Sequence, residues 1–123
     1  MNAIYLVLGG SLGTLARYYT GLWMTNAFGA RTLSTFLVNI VGSFVIGVFL
    51  AFGQERDPWS NALVLLVAVG FLGGFTTFST FTWQTLQLAE SGQQAQAMLN
   101  VAASVIVGML AVWAGASIAR VLA

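Results

Sequence analysis

Four apolar runs, each close to the roughly 20 residues an α-helix needs to cross a bilayer, occupy nearly all of this chain. They extend from about Ala3 to Met24, Leu33 to Gly53, Ala62 to Leu88 and Ala97 to Val121. Hydrocarbon offers a backbone no water to bond, so runs of this length specify helices whose hydrogen bonds are satisfied internally. The connectors are short and turn-like: NAFGAR (Asn26–Arg31), QERDPWSN (Gln54–Asn61), which holds the only proline, and ESGQQAQ (Glu90–Gln96). The expected fold is therefore an all-α integral membrane protein, a single four-helix transmembrane domain over residues 1–123. An even number of spans puts both termini on one side of the membrane.

Composition agrees with this reading and removes several functions. Of the 123 residues 59% are hydrophobic and 6% charged, the balance of a chain solvated by lipid. Four arginines, no lysine and three acids leave a net charge of +1, too little basic surface for a nucleic-acid partner. Cysteine and histidine are absent, which removes disulfides, thiol chemistry, the commonest catalytic zinc ligands and a histidine general base. No phosphate-cradling glycine loop of the P-loop type is present, so no nucleotide-driven step is expected, and the chain is not read as an enzyme. The first ten residues, MNAIYLVLGG, carry no basic n-region and lead to no clear cleavage site; they read as part of a retained first span.

Orientation should follow the arginines, because basic loops stay cytoplasmic. Here Arg56 and Arg120 lie on the side of the termini, whereas Arg17 and Arg31 lie on the other. Two against two does not choose a side. Either the chain has too few charges to signal orientation, or copies insert both ways up.

Helices in lipid gain little from hydrophobicity between themselves, so small residues three and four apart mark close backbone approach. The first span offers Gly9, Gly10, Gly13, Ala16 and Gly21; the second Gly42, Ser43 and Gly47; the fourth Ser104, Gly108, Ala111 and Gly115. Asn39 lies deep in the second span on the face of Gly42 and Ser43. An amide facing lipid would lose its hydrogen bonds at a cost of about 2 kcal/mol or more, so it faces protein or water. In the fourth span Asn100 and Ser104 stand one turn apart. Each polar pair is either glue between helices or the lining of a polar track. Arg17, the one basic residue well inside the first span, snorkels to the interface, attracts anions to a vestibule, or binds the end of another helix. No acid occurs between Ala3 and Gly53, which weakens any proton-coupled or cation exporter that depends on an intramembrane carboxylate.

The third span contains GFLGGFTTFSTFTW, Gly70 to Trp83. Gly70, Gly73 and Gly74 each cost a helix about 1 kcal/mol relative to alanine, and the β-branched Thr76 and Thr77 follow them. Together they predict a break near the middle of this span and two half-helices. Irregular backbone at membrane depth is tolerated only against protein or a water-filled cavity, where its freed carbonyls become candidate cation ligands. Beyond the break, Phe78 and Phe81 fall three apart on one helical face, with Ser79, Thr80, Thr82 and Thr85 around them. The two rings are either packing or a lining. A phenyl edge is weakly positive, and two edges can solvate an anion without trapping it, as conduction requires.

GFLGGFTTFSTF resembles the signature of the Fluc (CrcB-type) fluoride channels, small four-helix membrane proteins of about this length. The likeness extends along the chain: GGSLGTLARYYTG is similar to the family's first helix with its arginine, and STFLVNIVGSFVIG to its second helix with its asparagine; the fourth, Asn100 to Ala114, is only loosely diagnostic. The resemblance implies an antiparallel, dual-topology homodimer in the lipid bilayer of the cytoplasmic (inner) membrane. It implies two fluoride pores and a central structural sodium ion. By the same resemblance Phe78 and Phe81 line the pores, Asn39 lies near them, and Thr35, Ser79, Thr80 and Ser104 are hydroxyl donors beside the path. Arg17 matches the vestibule arginine, and the backbone carbonyls of Gly73 and Thr76 from both copies would hold the sodium. One position departs from the pattern: where the family often carries an acid a turn after the second phenylalanine, this chain has Gln84, and no gating or proton-related role of that acid is carried over.

The function so implied is passive, fluoride-selective efflux that relieves fluoride toxicity. Two other classes make different predictions. A small multidrug-type dual-topology exporter needs an essential membrane carboxylate, for which Glu90, at a helix end, is the only candidate near a span. A non-transporting assembly subunit predicts that apolar replacements at Asn39 and Ser79 leave activity untouched.

Overall fold

The computed structural model describes residues Met1–Ala123 and is all helical, without strands. Helix α1 spans Asn2–Phe28 and ends on Gly29, whose φ of 67° is the left-handed conformation that closes a helix most readily at glycine. Helix α2 follows at once, Arg31–Glu55. The third segment, Asn61–Glu90, is composite. It opens with a short α-helical turn, α3 (Asn61–Val64), capped by the Ser60 hydroxyl, which accepts the Leu63 N–H at 3.2 Å. It widens into a π-helix over Leu65–Leu72 and narrows again in α4 (Gly73–Phe75). Thr76 (φ −89°, ψ 157°) and Thr77 (φ −151°, ψ 117°) are extended, and α5 (Phe78–Glu90) resumes beyond them. A tight turn with Gly92 at φ 81° leads to α6 (Gln94–Leu122).

Three segments, Arg31–Glu55, Asn61–Glu90 and Gln94–Leu122, are long and apolar enough to cross a membrane. The chain is a multi-pass membrane protein. Helix α1 has the length, 27 residues, but not the apolar content, since Arg17, three tyrosines and four glycines dilute it. Its place is set by packing. Helix α2 packs chiefly on α6, and α1 chiefly on the π-helical turns and α4.

Small residues make both seams. A Cβ added at Gly9 would collide with the carbonyl of Leu66, and one at Gly13 with that of Phe71, so the backbones of α1 and the π-helix touch directly. On the other seam Gly47 abuts the Val112 carbonyl and Gly115 that of Phe44. Gly42 meets the Thr76 methyl. Gly10, Gly21 and Gly108 stand at ordinary contact distances and are not required to be glycine by space. At the far end of α2, the Trp59 indole N–H donates to the Phe49 carbonyl at 2.6 Å and its ring stacks on Phe49 and Phe52. This folds the polar connector back on the helix. Glu55 and Arg120 approach to 3.8 Å there, an exposed pair that contributes little.

Candidate functional site

The polar side chains of the interior gather around the extended residues between α4 and α5. In an unbroken helix the Thr77 N–H would bond the Gly73 carbonyl, the Phe78 N–H that of Gly74, and the Thr80 N–H that of Thr76. Each of these partnerships is replaced. Thr77 N–H donates to Asn39 Oδ1 at 2.8 Å, and the Thr77 carbonyl accepts from Asn39 Nδ2 at 3.0 Å. The Gly74 carbonyl accepts from Arg17 Nε at 2.9 Å. Thr80 N–H donates to Thr77 Oγ1 at 3.3 Å, which makes Thr77 the N-cap of α5. The carbonyls of Gly73 and Thr76 thereby lose the donors a continuous helix would supply, and Gly73 is exposed. Thr76 back-bonds to Leu72 through both its N–H (3.0 Å) and its hydroxyl (2.8 Å).

Two cavities flank this region. One, of about 380 Å³, is lined by Arg17 and Arg31 together with Ser34, Thr35, Thr80 and Gln84. It holds two guanidinium groups and no carboxylate, so its mouth favours anions. The other, of about 360 Å³, is lined by Asn39, Ser43, Phe78, Phe81 and Ser104, with Gly73 and Thr76 at its wall. It carries no charged side chain at all. Thr77 lines both, and so stands on the boundary between the charged cavity and the uncharged one.

Asn39, Phe78, Phe81, Ser104, Gly73 and Thr76 thus share one cavity, and Arg17, Thr35 and Thr80 the other. Ser79 lines neither; it is exposed, with its hydroxyl 3.5 Å from Thr77 Oγ1. Phe78 and Phe81 touch, ring centroids 5.7 Å apart and planes at 52°, but differ in burial: Phe81 is 8% exposed and Phe78 77%. Ser104 Oγ is buried and has no hydrogen-bond partner, an unsatisfied donor beside the two rings. Gln84 Oε1 is likewise buried and unpartnered. Asn100 takes the other role open to it, donating to Thr85 Oγ1 at 2.9 Å and so joining α6 to α5. Thr35 is buried and donates to the Arg31 carbonyl of its own helix at 3.3 Å.

Sequence reasoning misses Ser34, Arg31 and, above all, Thr77 as lining residues; Ser43, paired with Asn39 as one side of a possible polar track, does line the uncharged cavity. Thr77 has a legible signal: threonine is a favoured N-cap residue, and it stands immediately before the helical run that starts at Phe78. Its β-branch by itself signals only a weak helix former. No three His, Cys, Asp or Glu side chains gather in a cluster that could hold a metal.

Comparison with known proteins identifies the family to which this fold belongs. A family model described as CrcB-like protein, Camphor Resistance (CrcB), matches residues 4–116. A protein of Acidobacterium capsulatum named "Fluoride-specific ion channel FluC" is 41% identical over 116 residues, 94% of this chain and 93% of the relative. One of the same name from Rhizobium etli is 43% identical over 124 residues, 100% and 99% of the two chains. A third, from Geotalea uraniireducens, is 41% identical over 122 residues, 98% of each. Both Arg17 of α1 and the region of Thr76 and Thr77 fall inside the matched residues. The chain belongs to the CrcB-like protein family.

Proposed function

We propose that the chain is a fluoride-specific ion channel, conducting fluoride passively out of the cell across the cytoplasmic (inner) membrane and so conferring resistance to its toxicity. The observation that carries this reading is the uncharged cavity where Phe78, Phe81, Asn39 and the unpartnered Ser104 hydroxyl meet, in a chain whose full-length relatives are named for fluoride conduction. A small, strongly hydrated anion must exchange water for donors. Asn, Ser and Thr supply donors without the fixed positive charge that would hold the ion in place. Arg17 and Arg31 raise the local anion concentration at the mouth, and Thr80 offers a hydroxyl in the charged cavity, hydrogen-bonded to Thr77 where the two cavities adjoin. Ring edges of Phe78 and Phe81 then take the place of part of the hydration shell.

The functional unit in this reading is an antiparallel homodimer, a single four-helix domain from each copy. The 77% exposure of Phe78 supports it, because a ring that lines a pore needs a second wall, and one chain supplies only Phe81 and its neighbours. The interruption of the third span at Thr76 and Thr77 is a functional break. The Gly73 and Thr76 carbonyls, relieved of helical donors, suit a hard monovalent cation such as sodium, which favours oxygen ligands; a two-fold axis would present each carbonyl twice. A Cβ built on Gly73 meets nothing within 4 Å, so there is open space beside it. When bound, the ion supplies positive charge and ties the two copies together.

The test is direct. Purified protein in liposomes loaded with fluoride, monitored by a fluoride electrode beside a chloride control, is expected to release fluoride and retain chloride. Well-folded protein without fluoride-selective flux would end the reading.

A further inference from the structure

We infer that Arg17 is a positioning residue for the third span: it acts on the Gly74 carbonyl, and through it keeps α4 and α5 from joining into one helix. The side chain reaches from α1 across 57 residues of sequence to make a single hydrogen bond, Nε to the Gly74 carbonyl at 2.9 Å. That carbonyl lies at the C-terminal end of the first half of the span, where the helix dipole is negative and a cation is stabilising. It is also the acceptor that the Phe78 N–H would take if the helix continued through Thr76 and Thr77. Arg17 therefore satisfies the carbonyl that Phe78 would have to recapture for the helix to run on. Gly74 itself is pressed on α1, since a Cβ there would meet the Gly10 carbonyl and Thr14, so the approach is held by backbone packing as well as by the guanidinium. Asn39, from α2, holds Thr77. Between them Arg17 and Asn39 occupy the Gly74 and Thr77 carbonyls, while those of Gly73 and Thr76 receive no side-chain donor.

This inference depends on the proposed pore only for the use made of the freed carbonyls; the experiment involves neither fluoride nor sodium. Amide exchange at Phe78 is measured by NMR on the full chain in lipid nanodiscs for the wild type, Arg17→Met and Arg17→Gln. Glutamine places its amide nitrogen at the same bond count from Cα as arginine Nε, so it can donate to the Gly74 carbonyl without charge; methionine cannot donate. In Arg17→Met the Phe78 amide is expected to exchange about fivefold to tenfold more slowly, because it takes over the vacated carbonyl. In Arg17→Gln it should stay near the wild-type rate. Equal Phe78 exchange in wild type and Arg17→Met, or slowing in Arg17→Gln as large as in Arg17→Met, would overturn the assignment. A wild-type measurement stands independently of whether either variant folds: the Arg17 Nε proton should exchange slowly, and a solvent-like rate would also overturn it.

Discussion

Asn39 and Thr77 are bonded to each other twice: the side-chain amide donates to the Thr77 carbonyl at 3.0 Å and accepts the Thr77 N–H at 2.8 Å. One amide thus completes the hydrogen bonding of a whole residue of extended backbone at membrane depth. Asn39→Leu removes both partners and leaves the Thr77 N–H and C=O unpaired, at a cost of about 2 kcal/mol. The expected outcome is a lower thermal midpoint of the detergent-solubilised protein and fluoride efflux reduced at least about tenfold. Asn39→Asp should fare no better, since it keeps the acceptor but presents a second oxygen to the Thr77 carbonyl. An unchanged midpoint in Asn39→Leu would mean that the pair contributes nothing to stability.

Phe78 and Phe81 separate packing from conduction because their burial differs so widely. Phe78→Ile changes a ring that one chain leaves exposed, and is expected to cut fluoride flux while leaving folding and assembly intact. Phe81→Ile alters a buried ring and should cut flux with a measurable loss of stability, about 1 kcal/mol. Wild-type flux in both variants would identify the rings as packing.

Ser104 sets stability against function. Its hydroxyl is buried without a partner, so Ser104→Ala removes an unsatisfied group and is expected to leave the thermal midpoint unchanged or raise it slightly. Efflux should nonetheless fall, because a donor beside Phe78 and Phe81 has gone. Full flux in Ser104→Ala would remove this residue from the path.

Gly9 and Gly13 are required by space, and Gly10 is not. Alanine at Gly9 or Gly13 would press on the backbone of the π-helix, which has no flexible side chain to yield, and should cost about 2 kcal/mol. Alanine at Gly10 should be tolerated. Size-exclusion profiles and thermal midpoints of the three single variants would read the difference, and equal behaviour would show that the seam relaxes freely.

Replacing sodium by N-methyl-D-glucamine throughout purification is expected to weaken dimer order and lower fluoride flux, with recovery on adding sodium back. Indifference to its removal would count against a cation at the Gly73 and Thr76 carbonyls.

Much of this molecule is decided locally. Apolar runs of bilayer length can only be helices in lipid, and the polar connectors set where they end, within a few residues of the observed limits of α2 and α6. Three glycines and two adjacent threonines lower helix propensity at one place, and the extended residues Thr76 and Thr77 lie there. Spacing also put Asn39 on the small-residue face of α2, beside Gly42. What spacing could not settle is which partner each polar group meets. Arg17 finds the Gly74 carbonyl across 57 residues, and Asn39 finds Thr77 across 38. Those meetings depend on how far each helix is rotated about its axis and how far it is shifted along its neighbour. The glycine contacts of α1 with a π-helix over Leu65–Leu72 determine both quantities for the third span. A 3.6-residue period carries no trace of a π-helical stretch, whose hydrogen bonds run from i to i+5. The sequence by itself determined the helices, the chemistry available inside them and the stretch where helical order is weakest. Only the tertiary structure decided which carbonyls are held by Arg17 and Asn39, and which remain free.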